Sequence, residues 1–259
     1  ELASRIFEAL EGFAEYGFCK SHAAGFALLC YQSAWLKHYY PAEFYCALLN
    51  NQPMGFYSPE VIVREAKRHG IDILPADINK SCTKCTIESN EACPERSRRI
   101  RLGLMYIKEL GDSAMDRILT ERERIPYCSL EDFCLRTGLE RKSVENLILA
   151  GAFDSFGQQK RQLLWQLGLL EKRCPGELPL EFGDIRVSLP DFTEVEEMKA
   201  DYEVQGLSTK YHPLQVWRKG IPGDGLCNSS ELARLPSNSQ VRIAGYVIIR
   251  QRPPTAKGF

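Results

Sequence analysis

The 259-residue sequence contains no uninterrupted apolar run of about 18 residues, the length a membrane-spanning helix requires, so no span is expected. Its first stretch, ELASRIFEALEGFAEYG, lacks an initiator methionine and the charged, apolar and small-residue succession of a signal peptide. The expectation is a cytosolic piece of a larger protein, with no membrane partner. Charge of one sign is also missing: 33 Lys and Arg face 34 Asp and Glu, for a formal net charge of −1. Overall charge therefore neither demands nor forbids a polyanion, and any nucleic-acid contact has to come from a local basic surface. What the ten cysteines lack is the spacing of a secreted disulfide framework. Cys30 and Cys46 stand in apolar helical context, where a free thiol behaves as a small hydrophobe. Cys82-x-x-Cys85 with Cys93 opens as a zinc ribbon does, but the next candidate ligands, Cys128 and Cys134, are distant, and bound metal is not expected.

What is present suits a globular chain able to bury a real core in more than one domain: 44% hydrophobic and 26% charged residues. Ser21 reads as the N-cap of a long apolar helix running to Tyr40, where Pro41 opens the next helix. Lys20, Ser21 and His22 then sit at a helix N-terminus, where unpaired N–H groups and the dipole favour an anion. On these residues alone plain capping is the better reading.

Further along, Ser58 and Pro59 start a helix with Val61, Ile62 and Ala66 as its apolar stripe, ended by Gly70. IDILP at 71–75 reads as a short strand, and 83–88 and 100–107 as two more, joined by a charged, Pro-containing hairpin insertion at 89–99. Arg96, Arg98, Arg99 and Arg101 are read there as solvated. From Ile107 a short helix, a hairpin at Leu110-Gly111 and a second helix from Ser113 follow. The glycine permits a tight turn whose N–H groups can face a phosphate, but on these residues alone an ordinary helix–helix turn is the better reading. Ser129 to Asp132 starts another helix that Gly138 stops, and one more runs from Lys142 to Gly151. Gln162 to Trp165 is helical and amphipathic, better explained by packing than by a sliding-clamp motif. Between about 171 and 236 one helix stands out, Thr193 to Gln205, with a capping box Thr193-x-x-Glu196 and a Gly206 stop. His212, in a His-Pro turn, is read as structural. Alternation over Val241 to Ile249 predicts a strand.

The phrase GFCKSHAAGFALLCYQSAWLKHYYPAEFYCALLN followed by NQPMGFYSP resembles the fingers region of the bacterial C-family DNA polymerases, the DNA polymerase III alpha subunits. The continuation to Ser81 resembles their error-prone branch, associated with damage-induced mutagenesis and translesion synthesis. Cys19 stands where that family usually has another residue, so no role carries over to it.

The resemblance implies a mainly α fold with small β elements: fingers (1–81), a small β element (82–106), a helix-hairpin-helix module (107–170), a connecting region (171–236) and the beginning of a truncated OB-fold (237–259). It implies nucleotide binding at Lys20, Ser21 and His22. DNA binding is implied at Lys108, Leu110, Gly111 and Ser113, and at Arg250, Arg252 and Lys257 in a groove of the single-strand-binding type. Glu109 occupies the first position of the Gly-x-Gly common in such hairpins. Primer–template DNA and deoxynucleoside triphosphates are the implied partners, with accessory mutagenesis proteins and a sliding clamp. Mg2+ belongs to the parent enzyme, its carboxylate ligands lying in a palm on the N-terminal side and outside this chain. No catalytic residue is therefore expected here, and the isolated chain is expected to be inactive. The alternative is a non-catalytic repair accessory built on helix-hairpin-helix and OB elements.

Overall fold

The structure, a computed structural model, describes residues 2–15, 19–89, 98–170, 189–218, 220–221, 226–247 and 250. It is mainly helical with one small sheet, and the chain divides into two units, one of residues 1–73 with 87–100 and one of residues 74–86 with 101–259. The sheet comprises β1 (Ile73–Leu74), β2 (Thr86–Ser89) and β3 (Arg98–Arg101) in the order β1-β3-β2. Most of the 89–99 insertion lies outside the described residues.

In the first unit, α1 (Leu2–Glu15) and α2 (Lys20–Tyr39) precede α3 (Pro41–Asn50) and α4 (Pro59–Arg68). Pro41 and Pro59 open their helices because a first-turn residue has no intrahelical N–H bond to lose. The core of this unit is Ala42, Tyr45, Cys46 and Leu49 of α3 with Ile62, Val63 and Ala66 of α4. Val63 takes the buried place expected of Val61, because residues 62, 63 and 66 share one helical face. Gly70 closes α4 at φ +76°, the left-handed conformation that favours glycine. α2 has no buried residue, although Phe26, Leu29, Tyr31 and Trp35 lie along it. Its Cys30 is exposed, against the expectation of an apolar setting, whereas Cys46 is buried as expected.

The second unit is built from α5 (Asp112–Arg124), α6 (Leu130–Thr137), α7 (Arg141–Leu149), α8 (Lys160–Leu170), α9 (Glu194–Gln205), α10 (Pro213–Arg218) and α11 (Ser229–Leu232). Its core gathers Ile118, Leu130, Phe133, Leu147, Ile148, Phe153 and Leu163, all fully buried or nearly so. Each such side chain contributes on the order of 1.5–3 kcal/mol through removal from water. Phe133 and Phe153 meet edge to face at 5.0 Å, and the Tyr127 hydroxyl donates to the Ile118 carbonyl at 2.9 Å. The caps follow the sequence. Ser129 Oγ accepts from the Asp132 N–H, Gly138 ends α6 in the left-handed region, and Thr193 with Glu196 forms a full capping box that Gly206 complements at the other end of α9. In α8, Leu163 is buried and Trp165 is about half exposed, as amphipathic packing requires.

Two expected strands are corrected. The one expected over 100–107 stops at Arg101, and residues 104–106 wind into a 3-10 turn. There Leu104 and Met105 donate to the carbonyls of Cys82 and Thr83, so the chain is diverted by the loop it packs on. Along Val241 to Ile249 no strand forms among the described residues. One parallel bridge joins Leu226 and Arg242, and Ile243 and Val247 are exposed.

Gly103 is fixed by contact. A Cβ there would lie 2.4 Å from the Thr83 carbonyl oxygen and 2.7 Å from the Cys85 nitrogen, backbone atoms that cannot step aside. Gly103→Ala is expected to lower stability by about 1–3 kcal/mol or more, read as a fall in denaturant midpoint at unchanged slope. Glu196 generates a pH prediction. The Thr193 backbone N–H, then the Arg161 guanidinium and the Thr193 hydroxyl, hold its carboxyl at about 2. Because the folded value is depressed, the stabilisation is present above the ordinary carboxylate range and is lost as pH falls toward 2. Glu196→Ala should therefore flatten the acid limb of the stability–pH curve over that window, and an unchanged limb would remove Glu196 as its source.

Candidate nucleotide and DNA contact sites

The first candidate site is the N-terminus of α2. Its N-cap is Cys19, not Ser21, at φ −64° and ψ 117°, and the Ala23 N–H already reaches the Cys19 carbonyl at 3.0 Å. The helix thus begins two residues earlier than expected, and Ser21 lies in its first turn with its hydroxyl 2.9 Å from the Cys19 sulfur. That contact, with backbone N–H groups of His22 and Ser21, pulls the Cys19 thiol below its ordinary pKa. Lys20, Ser21 and His22 are all exposed in the first turn, which carries no acidic residue. The His22 ring meets Phe26 edge to face at 4.5 Å. An anion arriving here meets first-turn N–H groups and an ammonium, with no resident carboxylate in that turn to oppose it. Gly17 and Phe18 lie outside the described residues.

The second candidate site is the hairpin before α5. Gly111 is its N-cap at φ −72°, an ordinary conformation, so the expected glycine freedom is not used there. The left-handed residue is Glu109, at φ 61°. Four hydrogen bonds hold this turn. The Lys108 N–H donates to the Val204 carbonyl at 2.9 Å and its ammonium to the Glu203 carbonyl at 2.6 Å. Asn146 Nδ2 donates to the Lys108 carbonyl at 2.8 Å, and the Ser143 hydroxyl to the Glu109 carbonyl at 2.7 Å.

The assigned residues therefore separate. Leu110 is buried and anchors the turn, so its side chain is withdrawn from any DNA surface. The Lys108 ammonium sits on a carbonyl in the last turn of α9, a placement the helix dipole favours. Gly111 and Ser113 are exposed, and nothing lies within 4 Å of a Cβ built on Gly111. Sequence reasoning missed Ser143, Asn146 and the strap from α9. The one available signal was the absence of glycine at position 109.

Of the C-terminal cations, Arg250 is exposed, and Arg252 and Lys257 lie outside the described residues. Cys85 is buried while Cys82 is exposed, and Cys93 lies outside the described residues. Among the described residues no group of three or more His, Cys, Asp or Glu side chains could hold a metal ion, and no helix is long and apolar enough to cross a membrane.

Residues 70–163 match the family described as "Helix-hairpin-helix motif". The chain is 40% identical over 99% of its length to an error-prone DNA polymerase of Anaeromyxobacter sp. (strain K), and 40% identical over 100% of its length to one from Teredinibacter turnerae. Another, from Rhodopirellula baltica, is 38% identical over 100% of this chain. The chain spans only 23–25% of the length of these relatives. It is thus a homologue of one segment of the error-prone DNA polymerases.

The clamp on the hairpin yields a direct test. Asn146 is itself buried, and Asn146→Ala leaves the part-buried Lys108 carbonyl without its side-chain donor, at an expected cost of about 1–3 kcal/mol in thermal or denaturant unfolding. A variant as stable as the parent would show that Ser143 and the strap from α9 hold the turn without Asn146.

Proposed function

We propose that this chain supplies nucleotide and DNA contacts to a DNA-directed DNA polymerase that extends a primer opposite damaged template. The observation that carries this reading is identity of about 40% along the whole chain to proteins named error-prone DNA polymerase. A non-catalytic repair accessory is not favoured, because those relatives match the α1–α4 region as well as the helix-hairpin-helix region.

In this reading the first turn of α2 receives the triphosphate of the incoming nucleotide: Lys20 and His22 donate from their side chains, and the helix N-terminus assists. The hairpin from Lys108 to Ser113 holds the backbone of duplex DNA through N–H groups, without reading sequence. Arg250, Arg252 and Lys257 join a single-strand groove once the OB strands are complete. The carboxylates that hold Mg2+ for phosphoryl transfer are assigned to the part of the relatives that this chain does not span, so the chain alone is inactive. The setting is cytoplasmic, with a sliding clamp and accessory mutagenesis proteins as further partners.

The test is kinetic, in a full-length polymerase carrying this segment. Lys20→Ala and His22→Ala should each lower the efficiency of nucleotide incorporation about tenfold, equivalent to ~1.4 kcal/mol, while primer–template affinity stays level. Unchanged nucleotide kinetics in both variants would return Lys20 and His22 to plain helix-start residues.

A further inference from the structure

The hairpin that the proposed function places against DNA carries a carboxylate at its strained position, and we infer that Glu109 is a negative determinant of that contact, weakening the hold of the hairpin on phosphate. This inference rests on the hairpin meeting DNA at all. Glu109 is exposed at φ 61°, a conformation uncommon for a side-chain-bearing residue and natural to glycine. The backbone is held in this state by bonds between the main chain of residues 108 and 109 and Ser143, Asn146 and Val204, and by the Lys108 ammonium on the Glu203 carbonyl. None of these bonds engages the Glu109 carboxylate, so the fold requires the conformation without requiring the charge. Strain of this kind concentrates where a residue serves something other than stability.

Charge then decides the effect. Glu109 lies two residues before the N-cap of α5, within about 7 Å along the backbone and so inside a Debye length of about 8–10 Å. Asp112 adds a second carboxylate in the first turn, and the only nearby cation on the hairpin, Lys108, has its ammonium on the Glu203 carbonyl. A phosphate approaching the exposed Gly111 and Ser113 N–H groups meets repulsion from Glu109 that a glycine there would not exert. The first turn of α2, with no acid, presents the opposite balance.

The experiment measures binding of the full 259-residue chain to duplex DNA of mixed sequence over a series of salt concentrations, for the parent, Glu109→Gln, Glu109→Gly and Gly111→Val. Gln keeps the size of the side chain and removes only its charge, whereas Gly also relieves the backbone. Glu109→Gln should bind about two- to fivefold tighter at low salt, with the gain shrinking as salt rises. Glu109→Gly should bind at least as tightly and unfold at a higher temperature. Gly111→Val serves as the control on the hairpin itself: its side chain has room in the fold but blocks approach to the N–H groups. If Gly111→Val weakens binding and Glu109→Gln leaves it unchanged, the hairpin contact stands and the inference about Glu109 is overturned. If Gly111→Val binds like the parent, the hairpin reading itself fails and Glu109 loses its role with it.

Discussion

The left-handed turn at Glu109 is the constraint on which the second unit is organised. A side-chain-bearing residue at positive φ costs on the order of 1–2 kcal/mol relative to glycine. The four hydrogen bonds that reach Lys108 and the Glu109 carbonyl contribute on the order of 1 kcal/mol each, enough to hold the turn. Their donors and acceptors come from α7 and α9, so the hairpin is set by elements at residues 143–146 and 203–204, far along the chain. α9 packs on α7 with Met198, Ala200 and Val204 buried, and its own residues complete its caps at both ends.

A buried charged cluster fixes α9 in the same unit. The ammonium of Lys160, with a side chain only 6% exposed, donates to the Leu149 carbonyl at 2.7 Å and lies 3.9 Å from carboxylate oxygens of both Glu197 and Asp201. Asp201 accepts from the Ser208 hydroxyl at 2.6 Å, and burial nevertheless pushes its carboxyl up. Lys210 reaches Asp154 at 3.2 Å, beside the left-handed Gly151 turn. Such a cluster adds little net stability over apolar packing, but removing one member strands the others and costs about 3–5 kcal/mol. Its effect is therefore on geometry: α8, α9 and the turn after α7 have one arrangement in which every charge is answered.

Local punctuation was legible in the sequence because its physics is local. Pro41 and Pro59 mark helix starts, Gly70, Gly138 and Gly206 mark ends, and the Thr193–Glu196 box is complete as read. Ser21 misled because Cys19 offers its hydroxyl a partner within the turn, a competition between neighbours that cap preferences do not resolve. Residues 102–107 and 241–247 misled for a tertiary reason. Apolar alternation specifies a strand only where an edge is offered, and at 104–105 the 82–83 loop takes the N–H groups instead. The helix-hairpin-helix module was legible as a fold, while its clamp was not. Ser143 and Asn146 look in sequence like ordinary polar residues of an amphipathic helix, and only the folded distance to residues 108–109 gives them a role.

The two candidate contact sites are both helix starts, and the dipole acts equally at each, so the difference between them has to come from side chains. At α2 the first turn holds Lys20 and His22 with no acid, which suits a densely charged, mobile anion that must be gripped before it reacts. At α5 the first turn holds Asp112, with Glu109 just ahead of it and Lys108 committed to α9, which suits a polyanion that must be touched and released as it moves. Under the proposed function both kinds of contact are called for, since nucleotide selection depends on firm placement and translocation on a backbone contact weak enough to be remade at each step. The charges on these two turns differ within a chain whose net charge is −1, so overall composition carries no sign of the difference.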